Sequence, residues 1–206
     1  MKNKAFTLIE KYAKVLAEME GYDPKATKII INMDGRIFET EDGCDFHNLT
    51  SKDVIVASGT SGSLYPVEHK LVKTQKDIGA IVLSRTPYCK RCETLGQPIT
   101  AAIDDMAQIV GHTAQCVPYD EKSIGKALRS ATGCLIKDHY TLTTGRNLYE
   151  AVVALTVLEK SAEINTKAKV LGGVKPLPRW EAVLMRQVYK RKYSKAEQEV
   201  KAEEGR

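Results

Sequence analysis

A short run of small, hydroxyl-bearing residues precedes a candidate helix in the first half of the chain. The run contains Ser61, Gly62 and Ser63, and Pro66 suits the first turn of the helix that follows. Backbone N–H groups at a helix start favour an anion, and serine hydroxyls donate further hydrogen bonds. The pattern predicts that these three residues help to bind a small anionic ligand.

Cys89 and Cys92 have the spacing of redox and zinc motifs, with two basic residues between them. No second cysteine pair in the sequence lies at zinc-ribbon spacing, and the pair lacks the strand-to-helix context of thioredoxins. We therefore interpret the spacing as one turn of a helix. The five cysteines, an odd number without regular spacing, are predicted to be free thiols.

The composition limits which classes of protein this chain can belong to. The chain has 206 residues, 43% hydrophobic and 28% charged, so it can bury the core of one domain. The formal net charge of +5 comes from the basic run 190–192 and from scattered lysines, a pattern that does not favour nucleic-acid binding. No apolar run is long enough for a membrane span, and the first residues lack the apolar centre of a signal peptide. We expect a cytoplasmic protein with neither a nucleic-acid nor a membrane partner.

Hydrophobic periodicity predicts alternating helices and strands. Strands are predicted over 28–32, 36–40, 53–57, 80–83, 114–117 and 134–137, the first two joined by a hairpin turn at Asp34 and Gly35. Helices are predicted over 6–19, from Pro66, over 99–110 and 122–131, from Asn147, and over 179–193. The pattern predicts one α/β domain over 1–193, with a central sheet covered by helices, and a charged, disordered tail over 194–206.

Several ordered blocks resemble the class II aldolase/adducin family, which includes fuculose-phosphate and rhamnulose-phosphate aldolases and ribulose-phosphate 4-epimerase. The block 79–88 is similar to the family's strand Ala-Val-Val-His-Thr-His-Ser-Pro-Tyr with both histidines replaced. The block 134–139 is similar to its Leu-Leu-x-Asn-His-Gly block, and 43–56 and 105–119 match its spacing. The resemblance implies a single-domain, three-layer α/β/α fold with a central, largely antiparallel sheet.

The resemblance also implies a zinc site with three histidine ligands, of which this chain keeps one. Leu83 and Arg85 occupy the two histidine positions on the strand, and only His139 remains. A single imidazole binds Zn2+ too weakly, and leucine offers no lone pair. We expect no cofactor; Zn2+ or another divalent metal belongs only to the alternative function given below.

The family's other functional positions are altered as well. Its acid/base glutamate falls at Tyr65 when the chain is aligned on His69, which is itself a candidate ligand-binding residue. A tyrosine with an ordinary pKa near 10 is a poor base at neutral pH. Glu68 lies about 300° further round the helix than Tyr65, so it does not take the glutamate's place. The family's phosphate-binding turn carries Asp42, a carboxylate that repels phosphate.

Arg85 has two readings. Its guanidinium in the emptied metal pocket binds a carboxylate or phosphate through two hydrogen bonds, or it pairs with Asp138 or Glu68 and only fills space. His139 likewise is either a ligand-binding residue or a hydrogen-bonded relic of the metal site.

These observations predict a class II aldolase-like protein without the usual zinc ligands and catalytic glutamate, a pseudoenzyme that binds a small anionic ligand or supports an oligomer. The alternative is an active sugar-phosphate aldolase or epimerase, a carbon-carbon lyase with a non-standard site. The resemblance implies a homo-oligomer, a tetramer in this family, or a hetero-oligomer with an active paralogue.

Overall fold

The computed structural model describes residues 1–57 and 64–204, with side chains up to residue 191. Its helices are α1 Lys2–Ala17, α2 Pro66–Thr74, α3 Pro87–Thr94, α4 Glu121–Leu128, α5 Leu148–Val170 and α6 Arg179–Glu204. Its strands are β1 Lys28–Met33, β2 Arg36–Thr40, β3 Val54–Val56, β4 Ala80–Ser84, β5 Ile99–Thr100, β6 Thr113–Ala114, β7 Cys116–Val117, β8 Gly133–Ile136 and β9 Tyr140–Gly145. A 3-10 turn covers Phe46–Asn48 and a π-helical turn covers Met106–Val110.

A central sheet has the strand order β3-β2-β1-β4-β9-β8-β7. Its neighbouring strands are antiparallel except for β7 and β8, which are parallel. The strands β5 and β6 form a separate antiparallel pair. The largely antiparallel sheet that the family resemblance implied is confirmed.

The hydrophobic core lies on both faces of this sheet, because alternate residues of a strand point to opposite faces. Ile29 and Ile31 of β1 pack in one cluster with residues of α1 and α5. Ile30 packs in another cluster with Leu71 of α2 and Ile124 of α4. Helices therefore cover both faces, which confirms the predicted three-layer α/β/α architecture.

Most of the predicted elements are present near their predicted positions. The turn between β1 and β2 is formed by Asp34 and Gly35, with φ of 52° and 80°, and the Asn32 side chain accepts a hydrogen bond from the Gly35 N–H group. Positive φ at both turn residues is what a tight hairpin requires. All five cysteines are free, and Cys89 and Cys92 lie buried one turn apart on α3, as predicted.

The predicted helix over 99–110 is wrong. Ile99 instead pairs with Ala114 in the small sheet, and only 104–110 is helical, mostly as the π-helical turn Met106–Val110. The apolar positions in this segment fit a helical period, but pairing with a distant strand overrides it. The predicted strand 114–117 is divided between β6 and β7.

Two further differences concern β9 and α6. Strand β9 was not predicted because its threonines look polar, yet Thr141 and Thr143 are buried and donate hydrogen bonds to Glu93 and to the Ala151 carbonyl. Helix α6 continues to Glu204, beyond the predicted end at Tyr193. Among the described residues, no helix is both long and apolar enough to cross a membrane.

Candidate functional site

A pocket of about 320 Å³ opens at the end of the sheet where β4 ends and β9 begins. It is lined by Tyr65, Leu83, Arg85 and His139. Pairing of β4 with β9 brings these distant segments together. The pocket therefore gathers the four positions that the sequence assigned to the family's metal ligands and acid/base glutamate.

Positive charge exceeds negative charge in this pocket. Among the described side chains that line it, four are cationic and two are carboxylates, namely Lys25, Lys28, Arg85, Lys90, Asp23 and Asp42. The sequence analysis missed the three lysines. Lys28 had one recognisable feature, since it is a charged residue at the start of a β-branched strand that is otherwise buried. The charge balance suits a small anion.

Lys28 neutralises the carboxylate of Asp42. Its Nζ atom lies 2.8 Å from Asp42 Oδ1, 2.7 Å from the Thr40 carbonyl oxygen and 3.8 Å from Glu39 Oε2. The lysine side chain is 6% exposed, whereas Asp42 is 47% exposed. The repulsion that Asp42 was expected to exert on a phosphate is therefore offset by a fixed cation.

Tyr65 also contacts this ion pair. Its hydroxyl donates a hydrogen bond to Asp42 Oδ1 at 3.1 Å, and Lys28 Nζ lies 4.6 Å from the centre of its ring. Burial and the neighbouring Asp42 carboxylate raise the pKa of Tyr65 well above its usual value. Tyr65 therefore stays protonated at neutral pH and does not act as a general base there.

Arg85 pairs with Glu93, not with the predicted partners Asp138 or Glu68. Its Nε atom lies 3.4 Å from Glu93 Oε2. Arg85 immediately precedes the turn into α3, so its side chain reaches a carboxylate on that same helix. Glu93 also accepts a hydrogen bond from the Thr141 hydroxyl at 2.6 Å. Burial raises the pKa of Glu93, although both of these partners lower it.

Glu159 of α5 fixes the junction between β4 and α3. Its carboxylate accepts hydrogen bonds from the Thr86 hydroxyl at 2.6 Å and from the N–H groups of Tyr88 and Cys89 at 2.8 and 2.9 Å. A carboxylate at a helix N-terminus accepts hydrogen bonds from N–H groups that have no partner within the helix. Its negative charge also interacts favourably with the positive end of the helix dipole. Glu159 thereby holds the segment that carries Arg85.

Glu68 is buried and does not line the pocket. It accepts hydrogen bonds from the hydroxyls of Tyr140 at 2.6 Å and Tyr119 at 3.1 Å. Burial and the Glu68 carboxylate raise the pKa of Tyr119 to about 12 and that of Tyr140 further. Of these three residues, only Tyr140 lines the pocket.

The remaining predicted ligand-binding residues are separated. His139 is exposed at the pocket, with its ring 5.7 Å from that of Tyr119. His69 is 1% exposed and does not line the pocket, because its Nε2 atom lies 2.7 Å from Glu39 Oε2 in a buried pair. The predicted residues Ser61, Gly62 and Ser63 lie outside the described residues.

The donor set at the pocket does not fit the zinc that the fold family implies. Leu83 has no donor atom, Arg85 is a cation, and His139 supplies one imidazole. Over 1–57 and 64–191, no group of three or more histidine, cysteine, aspartate or glutamate side chains is placed to hold a metal ion.

The fold is a helix-covered, largely antiparallel sheet with a polar pocket at one end. The family model for the class II aldolase and adducin N-terminal domain matches residues 25–166. The chain belongs to this family. Among curated protein sequences there is no significant match.

Solved structures support the same fold. An L-fuculose 1-phosphate aldolase is 21% identical, with a TM-score of 0.80 over 91% of this chain and 96% of that one. The L-fuculose-1-phosphate aldolase from Thermus thermophilus is 18% identical, with a TM-score of 0.69 over 84% of this chain and 98% of that one. The enzyme from Glaciozyma antarctica is 19% identical, with a TM-score of 0.71 over 89% and 82% of the two chains. At these identities the comparison shows the fold alone.

Proposed function

We propose that this protein binds a small anion, such as a sugar phosphate, in the pocket beside β4 and does not carry out zinc-dependent aldol cleavage there. The observation that carries the proposal is the replacement of the family's metal ligands by Leu83 and Arg85 in a pocket that retains excess positive charge. A guanidinium binds phosphate or carboxylate through parallel hydrogen bonds without coordination chemistry.

The residues of the pocket support binding better than cleavage. A guanidinium stabilises a developing enediolate less than a zinc ion does, because it is not a Lewis acid. Tyr65 stands at the position of the family's glutamate, and its raised pKa keeps it protonated. The pocket thus retains charge for substrate-like anions, whereas its donor atoms do not suit zinc and its tyrosine does not suit a general base.

The second candidate is a sugar-phosphate aldolase or epimerase with a non-standard active site. It is favoured by the hydroxyl of Tyr65, which lies in the pocket as a proton donor hydrogen-bonded to Asp42. Under this candidate, cleavage or epimerisation of fuculose, rhamnulose or ribulose phosphates proceeds at about 1 per second or faster, an ordinary enzymatic rate. Tyr65→Phe then abolishes that turnover.

We also propose that the protein forms a homo-oligomer, with a hetero-oligomer of this chain and an active paralogue as the alternative. Trp180, Leu184 and Val188 lie four residues apart on one stripe of α6 and are 71%, 53% and 58% exposed. Large apolar side chains grouped on one helix face are typical of an interface. Sedimentation of the wild type and of Trp180→Ser/Leu184→Ser tests this contact, since the variant should dissociate.

The ligand-binding proposal is tested by a thermal-shift screen with phosphate, sulfate, small carboxylates and sugar phosphates. A ligand that binds the folded state raises the unfolding temperature by mass action. Arg85→Ala should reduce the shift, whereas Arg91→Ala, an exposed arginine on α3 outside the pocket, should leave it unchanged. Equal responses from wild type and Arg85→Ala, or no response from either, would refute the proposal.

A further inference from the structure

A second pocket, of about 400 Å³, lies at the opposite end of the sheet from the first. It opens where β9 ends at Gly145 and where Ile78 precedes β4, and α6 covers it with Arg186 and Lys190. The two pockets share no described lining residue. Sites for small organic ligands have volumes of roughly 300–1,000 Å³, so this pocket is large enough to hold one.

Positive charge exceeds negative charge in the second pocket too. Of the described side chains that line it, four are cationic and two are carboxylates, namely Arg129, Arg146, Arg186, Lys190, Asp77 and Glu150. Glu150 is already engaged by Arg146, whose Nε and Nη2 atoms lie 3.0 and 2.5 Å from its Oε1 atom. Glu150 therefore pairs mainly with Arg146, although Asp77 and Glu150 still partly offset the charge of Lys190.

The guanidinium of Arg186 is held in a fixed position. Its Nη1 atom donates a hydrogen bond to the Ile109 carbonyl at 2.9 Å, and the Thr132 hydroxyl donates to the same carbonyl at 2.8 Å. Ile109 belongs to the π-helical turn, a feature that is frequent at functional sites. Within the part of the chain that the structure describes, no carboxylate forms an ion pair with Arg186. Burial lowers the pKa of Arg186, as expected for a cation removed from water.

Lys190 lies one helical turn after Arg186 and lines the same pocket. Burial, and then repulsion from Arg186, lower the pKa of Lys190. The side-chain amides of Gln75 and Gln108 also line the pocket. An anion between these groups would relieve the repulsion and accept hydrogen bonds from the amides.

We infer that this second pocket binds a small phosphorylated organic molecule. Its phosphate would contact Arg186, Lys190 and Arg129, and its remaining part would contact the apolar wall formed by Ile109 and Val153. Several cations that line one pocket are better matched by a dianionic phosphate than by a single carboxylate. The pocket volume also leaves room for more than an inorganic ion. The inference is independent of the ligand proposed for the first pocket.

Isothermal titration calorimetry with adenosine 5′-monophosphate, ribose 5-phosphate and inorganic phosphate tests the inference. At least one organic phosphate should bind saturably and more tightly than inorganic phosphate. Arg129→Gln/Lys190→Gln should weaken that binding at least about tenfold, a loss of about 1.4 kcal/mol. The control Lys122→Gln/Lys126→Gln, which removes two exposed charges of α4 outside the pocket, should change it by less than about twofold. All of these proteins carry Arg85→Gln, so that a sugar phosphate bound in the first pocket does not contribute to the measured heats.

Arg186→Gln is not the primary variant, because it also removes the hydrogen bond to Ile109 that holds α6. Hydrogen exchange supplies a second readout, since the organic phosphate that binds should slow exchange over 179–191 in the wild type. Three results would overturn the inference: no saturable binding of either organic phosphate, equal affinity for inorganic phosphate, or an affinity that Arg129→Gln/Lys190→Gln leaves unchanged. Unchanged exchange over 179–191 upon saturation would overturn it as well.

Discussion

Arg85 and Glu93 form an ion pair at the junction between β4 and α3, with Arg85 Nε 3.4 Å from Glu93 Oε2. The carboxylate side chain is fully buried, whereas the arginine side chain is 29% exposed and lines the pocket. The contact lies at the long end of hydrogen-bond distances. Glu93 therefore orients the guanidinium from inside the protein, and the other N–H groups remain available to an anion on the pocket side.

This relationship predicts that sulfate binding strengthens as the pH falls. Burial raises the pKa of Glu93, so Glu93 takes up a proton at a higher pH than an ordinary glutamate and ceases to compete for Arg85. Between about pH 7 and about pH 5, the sulfate affinity of wild type should rise more steeply than that of Glu93→Gln. Both proteins should carry His139→Asn, because an imidazole gains charge in the same range. Parallel pH profiles for the two would contradict the prediction.

The same raised pKa predicts a trend in stability that runs in the same direction with pH. A carboxyl whose pKa is higher in the folded state than in the unfolded state stabilises the fold below its ordinary pKa, and this contribution is lost as the pH rises through the folded-state value. Relative to Glu93→Gln, wild type should therefore lose free energy of unfolding between about pH 4.5 and about pH 7. Urea unfolding of both proteins at several pH values measures this difference. A relative gain in wild-type stability with rising pH would show that the ion pair with Arg85 outweighs burial.

Replacement of Lys28 should destabilise the protein strongly. Lys28→Met leaves Glu39, which is 7% exposed, with less compensating charge and removes the hydrogen bond to the Thr40 carbonyl. Removing one partner of a buried ion pair costs about 3 kcal/mol. Lys25→Met is the matched control, since Lys25 lines the same pocket but is exposed, and it should change stability by less than about 0.5 kcal/mol. Equal losses of stability in Lys28→Met and Lys25→Met would show that the buried ion pair does not cause the destabilisation.

The family resemblance located four positions of this pocket from the sequence, since Tyr65, Leu83, Arg85 and His139 occupy matching positions in ordered blocks. It did not predict that Glu93 is the partner of Arg85. That pairing depends on where α3 turns after β4, and no periodicity in the sequence encodes the turn. The ion pair of Lys28 with Asp42 was hidden for a similar reason, because it joins residues 14 positions apart across a hairpin.

Helices and strands could be predicted from the sequence where one hydrophobic periodicity dominates. The prediction failed where contacts with distant parts of the chain determine the conformation. The helix of α1 and the hairpin of β1 and β2 have local patterns that match their burial. Strand β9 is stabilised by buried threonine hydroxyls whose acceptors lie far along the chain, such as Glu93 for Thr141. Read without these distant acceptors, the threonines of this segment indicate a polar loop.

Restoring both strand histidines should restore metal binding. Leu83→His/Arg85→His adds two imidazoles beside His139 and should raise the zinc affinity at least about tenfold, because three ligands leave one open position as in catalytic zinc sites. Each single substitution should have little effect. Elemental analysis after dialysis against zinc should find well below one zinc per chain in wild type. Stoichiometric zinc in wild type, lost in His139→Ala, would show that other residues complete the site.

The most direct test is a calorimetric titration of L-fuculose 1-phosphate into the protein, since one titration reports both binding and turnover. The account predicts saturable heats that return to baseline in wild type, an affinity at least about tenfold lower in Arg85→Gln, and no change in Arg91→Gln. A sustained heat of reaction would show that the protein is an active aldolase. An affinity that Arg85→Gln leaves unchanged, or an absence of binding, would contradict the assignment of Arg85 to an anion site.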